Sequence, residues 1–418
     1  MTSFPLPVSF PTRSDSRLTL RVGLVHPPRS SAVPHPRGAA HALRRRWVAT
    51  LAAGLALVAV ARAVEIPYDY LVKCTPENAI FGYFSPTKKP VVKIKSGAVV
   101  RIDGGGGNKW GDGVDPNTWL KENGVPITVE SSPVLTEIVR ALKESPNRLA
   151  PPPGSPPGTA VGGHFLIGPV YIEDAEPGDS LEVRILDVTP RLPYGANGAR
   201  PGSGGLPDLV PRPYGKVYLL DHKRNAAIFD KDIEVPLAPF NGVNGTCPPD
   251  SEGPERRSGP PGLFGGNLDS KDLIAGSTLY LPVFQKGALF YTGDCHAAQG
   301  DGEVAGDAIG TANTTTYQFI LHKGKTLKGP RAENATHYIT YGLDPDLDKA
   351  MRMALLEALD FLKEKQGLDF LPAYSLASAA IDFHVTQIVD RTLGVHGKIA
   401  KKIFVNDPNT YWYRTPRF

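Results

Sequence analysis

The stretch "STLYLPVFQKGALFYTGDCHAAQGDGEVAGD" (Ser277–Asp307) decides which fold is predicted for this chain. Its first half is rich in β-branched and aromatic residues and reads as two β-strands. Its second half places four carboxylates, a histidine and a cysteine among glycines in residues 293–307. This mixture is too polar for a buried core, and a solvated loop does not require so many chemically reactive side chains. We therefore expect these side chains to converge on one site at the end of a strand.

The chain up to residue 345 repeats the strand pattern. Pro90–Asp103 and Leu166–Pro190 each hold two strand-like runs around a turn, and both predict a hairpin. Long Gly/Pro-rich segments separate the strands, and we expect several of them to wall a cleft. Further strands are predicted at residues 216–220, 277–284, 288–293, 316–322 and 337–342.

The sequence changes character after residue 344. Apolar residues recur at helical spacing from Leu347 to Leu362, with Asp344 as the expected N-cap and Gly367 as the stop. A second helix is predicted within residues 371–390, passing into a strand near Phe383.

These patterns predict an α+β fold that is mainly β. Residues 64–345 are expected to form a β-sandwich or barrel-like body. Residues 346–418 are expected to form a smaller C-terminal α/β section packed on that body.

Residues 1–63 are expected to be a disordered leader plus a signal peptide. Arg44–Arg46 precede the apolar run Trp47–Val60, and Ala61-Arg62-Ala63 has the A-x-A form of a cleavage site. The run is shorter than the roughly 20 residues of a membrane span. We expect export to the periplasm or secretion, with no stable membrane association after cleavage; an uncleaved anchor is the alternative.

The charge of the chain depends on this leader. Residues 1–63 contain nine Arg and one Asp, so the net charge of +4 for the whole chain becomes an excess of acidic residues, 41 against 37 basic ones, once the leader is removed. The basic character therefore belongs to the export signal, and no nucleic-acid partner is indicated.

The three cysteines form no C-x-x-C pair, which excludes a thiolate zinc finger and a redox dithiol. A Cys74–Cys247 disulfide is possible in an oxidising compartment. Cys295 lies between Asp294 and His296 and would point to the opposite face of an extended strand, so we expect it to pack in the core.

Asp294 and His296 are the first candidate metal ligands. Residues two apart in a strand share a face, so both side chains could address one ion. Asp301 and Glu303 form a second such pair after Gln299-Gly300. His164, at a strand entrance, could supply a further ligand. Imidazole and carboxylate ligands together suit zinc, with manganese or iron as alternatives and calcium less suited. Each residue alone could instead be a turn former, a cap or a structural histidine.

The segment "GGNLD" (Gly265–Asp269) follows a Pro/Gly-rich loop. Asn267 and Asp269 could bind substrate there, or cap turns. Asp103 ends a strand before four glycines and could be a ligand or a turn former. The glycine run itself lacks the spacing of a nucleotide-binding fingerprint.

Three longer segments identify a family. "GPVYIEDAEPGDSLEVRILDV", "GPPGLFGGNLDSKDLIAGSTLYLPVFQKGALFYTGDCHAAQGDGEVAGDAI" and "SLASAAIDFHVTQIVD" resemble the acetamidase/formamidase family, and the resemblance spans about residues 78–405. It implies a metal-dependent amidohydrolase that converts a small amide such as formamide or acetamide to a carboxylate and ammonia. Relatives that act on γ-lactams make a lactam or a larger amide the alternative substrate.

The resemblance and the residue patterns together define a site hypothesis. The expected cofactor is a divalent metal, Zn²⁺ first, with Ca²⁺ or Mn²⁺ as alternatives, and the expected partners are a small amide and further copies of the chain in a homo-oligomer. A non-catalytic exported metal-binding β protein and a thiol amidase using Cys295 are the competing classes. The assigned roles are metal binding for His164, Asp294 and His296, catalysis for Glu303 and Asp301, and substrate binding for Asn267, Gln299 and Asp269.

Overall fold

The structure is a computed structural model that describes residues 65–110, 113–151, 154 and 162–406. These residues lie in one compact unit, Ala63–Phe418. The leader assigned to residues 1–63 lies outside the described residues, so it stays a prediction. No helix in the described part of the chain is long and apolar enough to cross a membrane.

Strands outnumber helices throughout the described residues. The strands are β1 Tyr70–Val72, β2 Ala79–Phe81, β3 Tyr83–Phe84, β4 Val92–Ile94, β5 Val99–Asp103, β6 Phe165–Ile172, β7 Ser180–Pro190, β8 Tyr194–Ala199, β9 Tyr214–Asp221, β10 Ala226–Ile228, β11 Glu234–Pro236, β12 Phe240–Gly245, β13 Arg256–Arg257, β14 Gly265–Asn267, β15 Thr278–Pro282, β16 Phe290–Ala298, β17 Ile309–Gly310, β18 Asn313–His322, β19 Arg331–Glu333, β20 His337–Asp344, β21 Ile381–Gln387 and β22 Leu393–Ala400. The helices are α1 Pro116–Glu122, α2 Pro133–Glu144, α3 Leu347–Gln366 and α4 Phe370–Ala380.

Most strands belong to two large sheets. One has nine strands in the order β1-β5-β18-β7-β15-β19-β20-β22-β21. The other follows β11-β10-β9-β8-β17-β16-β12-β14, with β6 paired to β16 and with β2 and β4 paired to β6. Strands β3 and β13 form a separate pair. Pairing is antiparallel except for β1 with β5 and β4 with β6.

The two large sheets share one hydrophobic core. Phe290 on β16 packs edge-on against Tyr317 and Phe319 of β18 in the other sheet, with ring centroids 5.5 and 5.0 Å apart. Such aromatic pairs contribute about 0.5–1.5 kcal/mol beyond the burial of their area. The body is therefore a β-sandwich, and the predicted mainly β fold class is confirmed.

Both predicted hairpins are wrong. Strand β4 pairs with β6 in one sheet, whereas β5 pairs with β18 and β1 in the other. Strands β6 and β7 likewise belong to different sheets. The turn between each pair of strands is therefore a corner that carries the chain across the sandwich. Strand propensity and turn chemistry are local properties, and they do not specify the sheet that a strand joins.

Helices α1 and α2 were not predicted, although each has a start signal. Asp115 accepts a hydrogen bond from the Thr118 N–H at 2.8 Å, and Ser132 accepts one from the Leu135 N–H at 3.3 Å. Each cap precedes a proline at the first helical position. A polar cap followed by proline is a known helix start, and here it marks short helices within a β-rich region.

Helix α3 begins later than predicted. Its N-cap is Asp346, which accepts hydrogen bonds from the first-turn N–H groups, whereas Asp344 ends β20. The predicted stop at Gly367 is confirmed, because this residue has the left-handed φ of 66° that favours glycine at a helix end.

Helix α3 lies directly on β20. A Cβ on Gly342 of β20 would collide with the backbone of α3 at Ala350 and Ala354, so only glycine permits this approach. After α3, helix α4 leads straight into β21, and β22 pairs with both β20 and β21. The C-terminal section thus extends the nine-stranded sheet.

The possible Cys74–Cys247 disulfide is not formed. Both residues are buried free thiols. Cys74 belongs to the core between the sheets, while Cys247 belongs to a separate cluster that includes Phe84 and Phe264.

Candidate active site

Strand β16 carries the centre of the candidate site. It pairs with β12 on one side, where His296 lies opposite Phe240, and with β6 and β17 elsewhere along its length. The His296 imidazole is buried and meets the Phe240 ring edge-on at 5.0 Å. The central position of β16 in the sheet holds the polar end of this strand in a fixed place.

Asp294 links the two predicted histidine ligands. Its Oδ2 atom lies 3.3 Å from Nε2 of His296 and 3.8 Å from Nε2 of His164. Ser258 holds His164 through two contacts. The ring Nδ1 of His164 lies 3.2 Å from the backbone oxygen of Ser258, and the Ser258 hydroxyl accepts a hydrogen bond from the backbone N–H of His164. The structure therefore brings together the three residues assigned to the metal.

Asp269 and Glu303 reach the same place from other parts of the chain. Asp269 follows β14, and Glu303 lies in the loop after β16. One ligand atom each from Asp269, His296 and Glu303 lie within 4.8 Å of one another, and all three residues are buried. This Asp/His/Glu cluster could hold a metal ion. The sequence assigned Asp269 to substrate, but its carboxylate lies among the candidate ligands.

Four carboxylate residues, two in the cluster and two beside it, share an unusual backbone conformation. Positive φ angles occur at Asp269 (48°), Asp294 (53°), Glu303 (42°) and Asp390 (58°). Such conformations cost non-glycine residues about 1–3 kcal/mol each and occur mainly at functional sites. The two-residue spacing brought Asp294 and His296 together as predicted, but the positive φ of Glu303 breaks the extended backbone that the Asp301 and Glu303 pair was assumed to have.

The ionisation of the cluster reflects its crowding. Burial, with repulsion from Glu303 and Asp294, raises the pKa of Asp269 well above its usual value. Burial also raises the pKa of Glu303 to about 8, with His296 opposing the shift and Asp294 adding to it. Burial is also the main cause that raises the pKa of Asp390. Carboxyl groups this close cannot all ionise without a compensating cation or proton.

Asp294 and His296 behave in the opposite way. Burial alone would raise the pKa of Asp294, but the charges of His296 and His164 outweigh it and the pKa is lowered. Burial alone would lower the pKa of His296, but the Asp294 carboxylate outweighs it and the pKa is raised. Asp294 and His296 therefore each favour the charged form of the other, whereas burial favours the neutral forms of Asp269, Glu303 and Asp390.

The donor atoms of this cluster suit a divalent cation. Several buried polar atoms have no hydrogen-bond partner among the described residues, although such atoms are normally satisfied. A Cβ on Gly242 of β12 would collide with Oδ1 of Asp269 and come within 2.7 Å of Oδ2 of Asp294, so the glycine keeps this space open. The unpartnered atoms are both carboxylate oxygens of Asp269, Nδ1 of His296, Oδ1 of Asn267 and Oε1 of Gln299.

Asn267 and Gln299, which were assigned to substrate, flank Asp269. The Asn267 Nδ2 atom donates to Oδ2 of Asp390 at 2.8 Å, and the Gln299 Nε2 atom donates to the backbone oxygen of Asp269 at 2.7 Å. These partners fix the amide orientation of both side chains and leave their carbonyl oxygens available as acceptors. Their substrate-binding role stays a prediction.

Asp301 faces a different set of groups from Glu303. Its Oδ2 atom lies 2.9 Å from Nζ of Lys271 and 3.5 Å from Nδ1 of His384. The catalytic role of Asp301 stays a prediction.

Asp103 is a buried residue at the end of β5. Its carboxylate lies 3.1 Å from Nζ of Lys73 and accepts a hydrogen bond from the Thr314 hydroxyl at 2.7 Å.

Three of the Gly/Pro-rich loops border the site. The loop before β14 supplies Ser258 beneath His164. The loop before β9 donates from the Gly205 N–H to the backbone oxygen of Val304, next to Glu303, at 2.7 Å. The glycine-rich loop after β5 places Nζ of Lys109 at 2.6 Å from Oδ1 of Asp307.

Cys295 lies in the core, on the other side of β16 from the cluster. It is 2% exposed, and burial raises its pKa to about 12. Because the thiolate is the nucleophile, a thiol held neutral in this way is a poor candidate for catalysis.

Cys295→Ala is accordingly expected to keep amide turnover within about threefold of the wild type, since its thiol stays protonated at neutral pH. Ammonia release should also survive incubation with an alkylating reagent. Loss of activity on alkylation, prevented by the Cys295→Ala substitution, would favour the thiol amidase instead.

Comparisons with known proteins agree with this fold. The model of the Acetamidase/Formamidase family matches residues 159–256 and 250–404. A formamidase of Methylophilus methylotrophus is 30% identical over 307 residues, which cover 54% of this chain and 73% of that protein. An acetamidase of Mycolicibacterium smegmatis is 31% identical over 200 residues, which cover 34% of this chain and 49% of that protein.

A solved structure extends the similarity to most of the chain. The crystal structure of an acetamidase from Bacillus halodurans superimposes with a TM-score of 0.63 and 28% identity, covering 80% of this chain and 99% of that one. Fold, site and relatives together define an amidohydrolase of the class that acts on carbon–nitrogen bonds other than peptide bonds, as predicted. The chain belongs to the acetamidase/formamidase family.

Some residues at the site escaped the sequence analysis. Asp390 lies in the turn after β21, at the end of the segment that carried the family resemblance, yet nothing in its local sequence marks it as a site residue. Gly242 was also missed, because a glycine in a strand is common, and Asp307 was counted among the carboxylates expected to converge but was given no role. Only their positions in the folded chain reveal that they border the cluster.

Proposed function

We propose that this chain hydrolyses a small linear amide, of the size of formamide or acetamide, at a divalent metal ion bound in the Asp269, His296 and Glu303 cluster, with Glu303 as the proton-transfer group. The observation that supports the proposal is this buried cluster with unpartnered donor atoms, inside the region matched by the family model. The products are a carboxylate and ammonia.

The donor set favours zinc among the common divalent ions. One imidazole with carboxylate oxygens is a frequent zinc environment, while calcium prefers oxygen ligands alone; manganese accepts the same donors as zinc. Asp269 and His296 would hold the ion, and the Asp294 carboxylate also orients His296 from 3.3 Å. Metal binding by Asp294 and His164, as assigned from the sequence, stays a prediction. Such an ion, when bound, supplies positive charge that polarises a carbonyl group and acidifies water.

The protein's own side chains perform the remaining work. An amide resists hydrolysis because its carbonyl is stabilised by resonance and its nitrogen leaves poorly as an anion. Glu303 is assigned to take a proton from the attacking water and deliver it to the departing nitrogen. Its buried position and its pKa near neutrality suit a group that exchanges protons in both directions. Asn267 and Gln299 offer carbonyl oxygens that can accept from the substrate N–H groups.

Chelation is expected to abolish ammonia release from formamide and acetamide, and added Zn²⁺ should restore it. The test uses the purified protein with elemental analysis before and after chelation, and a γ-lactam as a further substrate. Turnover that survives complete removal of metal would contradict the proposal. A bound metal without turnover on any amide would favour the non-catalytic binding protein.

We also propose that the chain is exported and that residues 1–63 are removed. Support comes from the basic cluster, the apolar run and the A-x-A sequence alone. Mass spectrometry of exported protein should find an N-terminus at Val64, and an intact leader would contradict this. The homo-oligomer stays a prediction, which light scattering on the purified protein would test.

A further inference from the structure

A second buried polar cluster lies beside the site, on the strands β21 and β22. His396 on β22 is fully buried, and its Nδ1 atom lies 2.8 Å from the hydroxyl of Thr386 on β21. Its Nε2 atom lies 3.4 Å from Oδ2 of Asp272. Neither Nε2 of His396 nor Oδ2 of Asp272 has another hydrogen-bond partner among the described residues. The cluster is distinct from the carboxylates that surround His296.

The first connection runs to the segment 269–272, which begins with the candidate ligand Asp269. Asp272 ends this segment and is held by His396 and by Nζ of Lys398, which lies 2.7 Å from its Oδ1 atom. Within the same segment, the Ser270 hydroxyl accepts a hydrogen bond from the Tyr341 hydroxyl at 2.9 Å. The segment is therefore anchored to the nine-stranded sheet immediately after Asp269.

The second connection runs to the segment 301–303, which ends with Glu303. The Gly302 N–H donates to the backbone oxygen of Thr386, and the Gly302 oxygen accepts from the Ile388 N–H, both at 3.0 Å. The Asp301 carboxylate contacts His384, whose ring stacks on His396 with centroids 5.3 Å apart. Glu303 is thus anchored to the same pair of strands.

A direct contact joins the two segments. Lys271 lies in the first segment and its Nζ atom is 2.9 Å from Asp301 in the second. Asp269 and Glu303 therefore approach each other from segments that share one support, in which His396 contacts Thr386 on one side and Asp272 on the other.

We propose that His396 and Asp272 are positioning residues that set the separation between Asp269 and Glu303 and thereby the affinity of the site for its metal ion. The inference rests on the proposed function, because it assumes that these carboxylates surround a metal. Neither residue touches the reacting atoms. Partners of this kind, which orient the ligands, typically change metal affinity by about 10- to 100-fold when they are replaced.

The charge of Asp272 is part of this support. Burial alone would raise its pKa, but the hydrogen bonds and charges of His396 and Lys398 outweigh it and the pKa is lowered. The carboxylate is therefore ionised at neutral pH, and Asp272→Asn removes a charge while keeping the shape of the side chain. Removing one member of a buried ion pair leaves its partners uncompensated, so the segment is expected to shift.

The test measures Zn²⁺ affinity by competition with a chromogenic chelator, in the purified protein and in four variants. Asp272→Asn removes the carboxylate charge that faces His396, His396→Asn removes the contact with Asp272, and His396→Gln places an amide nitrogen close to the former Nε2 atom. Glu182→Gln is the matched control, because Glu182 is buried on β7 of the same sheet with its Oε2 atom 2.7 Å from Nε2 of His322 on β18. Thermal unfolding of each metal-free variant is recorded alongside.

Asp272→Asn and His396→Asn are expected to weaken Zn²⁺ binding by about tenfold or more, and His396→Gln by less. Glu182→Gln should lower the unfolding temperature yet leave affinity within about twofold, since its partners Arg184 and His322 lie on β7 and β18 and not on the segments that carry Asp269 and Glu303. Folded variants that bind Zn²⁺ as the wild type does would overturn the positioning role alone. Affinity that falls equally in the control would also overturn it, by showing a general loss of stability. A wild type that binds no metal would instead overturn the proposed function.

Discussion

Glu303→Gln is expected to lower the rate of amide hydrolysis by about 10²- to 10⁴-fold, the usual contribution of a general acid–base group. Glutamine has the same shape but cannot accept and return a proton. Glu303 is buried beside His296 and Asp294, and its raised pKa of about 8 shows how strongly this environment alters its protonation. The measurement is steady-state ammonia release from formamide and acetamide, with metal content determined on the same samples.

Asp301→Asn is the matched control for this substitution. Asp301 lies two residues away and has a carboxylate of its own, but that group contacts Lys271 and His384. We expect turnover within about tenfold of the wild type, because these contacts tie Asp301 to Lys271 and His384, and the catalytic role assigned to Asp301 from the sequence would require a larger loss. If Asp301→Asn were the more damaging variant, the proton transfer would belong to Asp301. If Glu303→Gln lost its metal as well, Glu303 would be a ligand first.

Gly242→Ala is expected to lower turnover by about 100-fold or more and to weaken metal binding, because a misplacement of 1 Å at a reacting centre can have an effect of this size. The new methyl group would occupy the space that the Asp269 and Asp294 carboxylates face, and it would lie 3.1 Å from Cε1 of His296. Asp269 and His296 are buried and Asp294 is partly buried, so these short side chains cannot move aside without separating from one another.

Gly215→Ala serves as the control for the glycine substitution. Gly215 lies on β9 in the same sheet, has no positive φ, and a Cβ there would meet no atom within 4 Å. This variant should retain turnover and metal within about twofold, because it adds a methyl group where nothing is displaced. Equal losses in both variants would show that glycine is needed for the strand rather than for the site. Full activity in Gly242→Ala would contradict the steric argument.

The sequence was most informative where the physical signal is local. Alternation and β-branched residues located many of the longer strands, among them β7, β16 and β18, and Gly367 marked the end of α3, because each depends on neighbours along the chain. The partners of a strand depend on residues far away, so the two corners were mistaken for hairpins. Asp115 and Ser132 carried helix starts that the strong β character of their surroundings obscured.

The site could be predicted only in part, for a related reason. His296, Asp294 and Glu303 lie within ten residues of one another, so their grouping is visible in the sequence. Asp269 and Asp390 join them through the pairing of distant strands. The left-handed backbone at the four carboxylates is also hidden, because glycine is the residue that normally signals it.

The pairing of β5 with β18 has a consequence for how the protein is made. The Thr314 hydroxyl bonds to Asp103 across 211 positions of sequence, and β5 has β1 as its other neighbour. During synthesis, β5 therefore waits until most of the chain has left the ribosome before its main partner exists. Such non-local contacts slow folding and leave strand edges exposed meanwhile. The nine-stranded sheet is therefore expected to close only after synthesis of the chain is nearly complete.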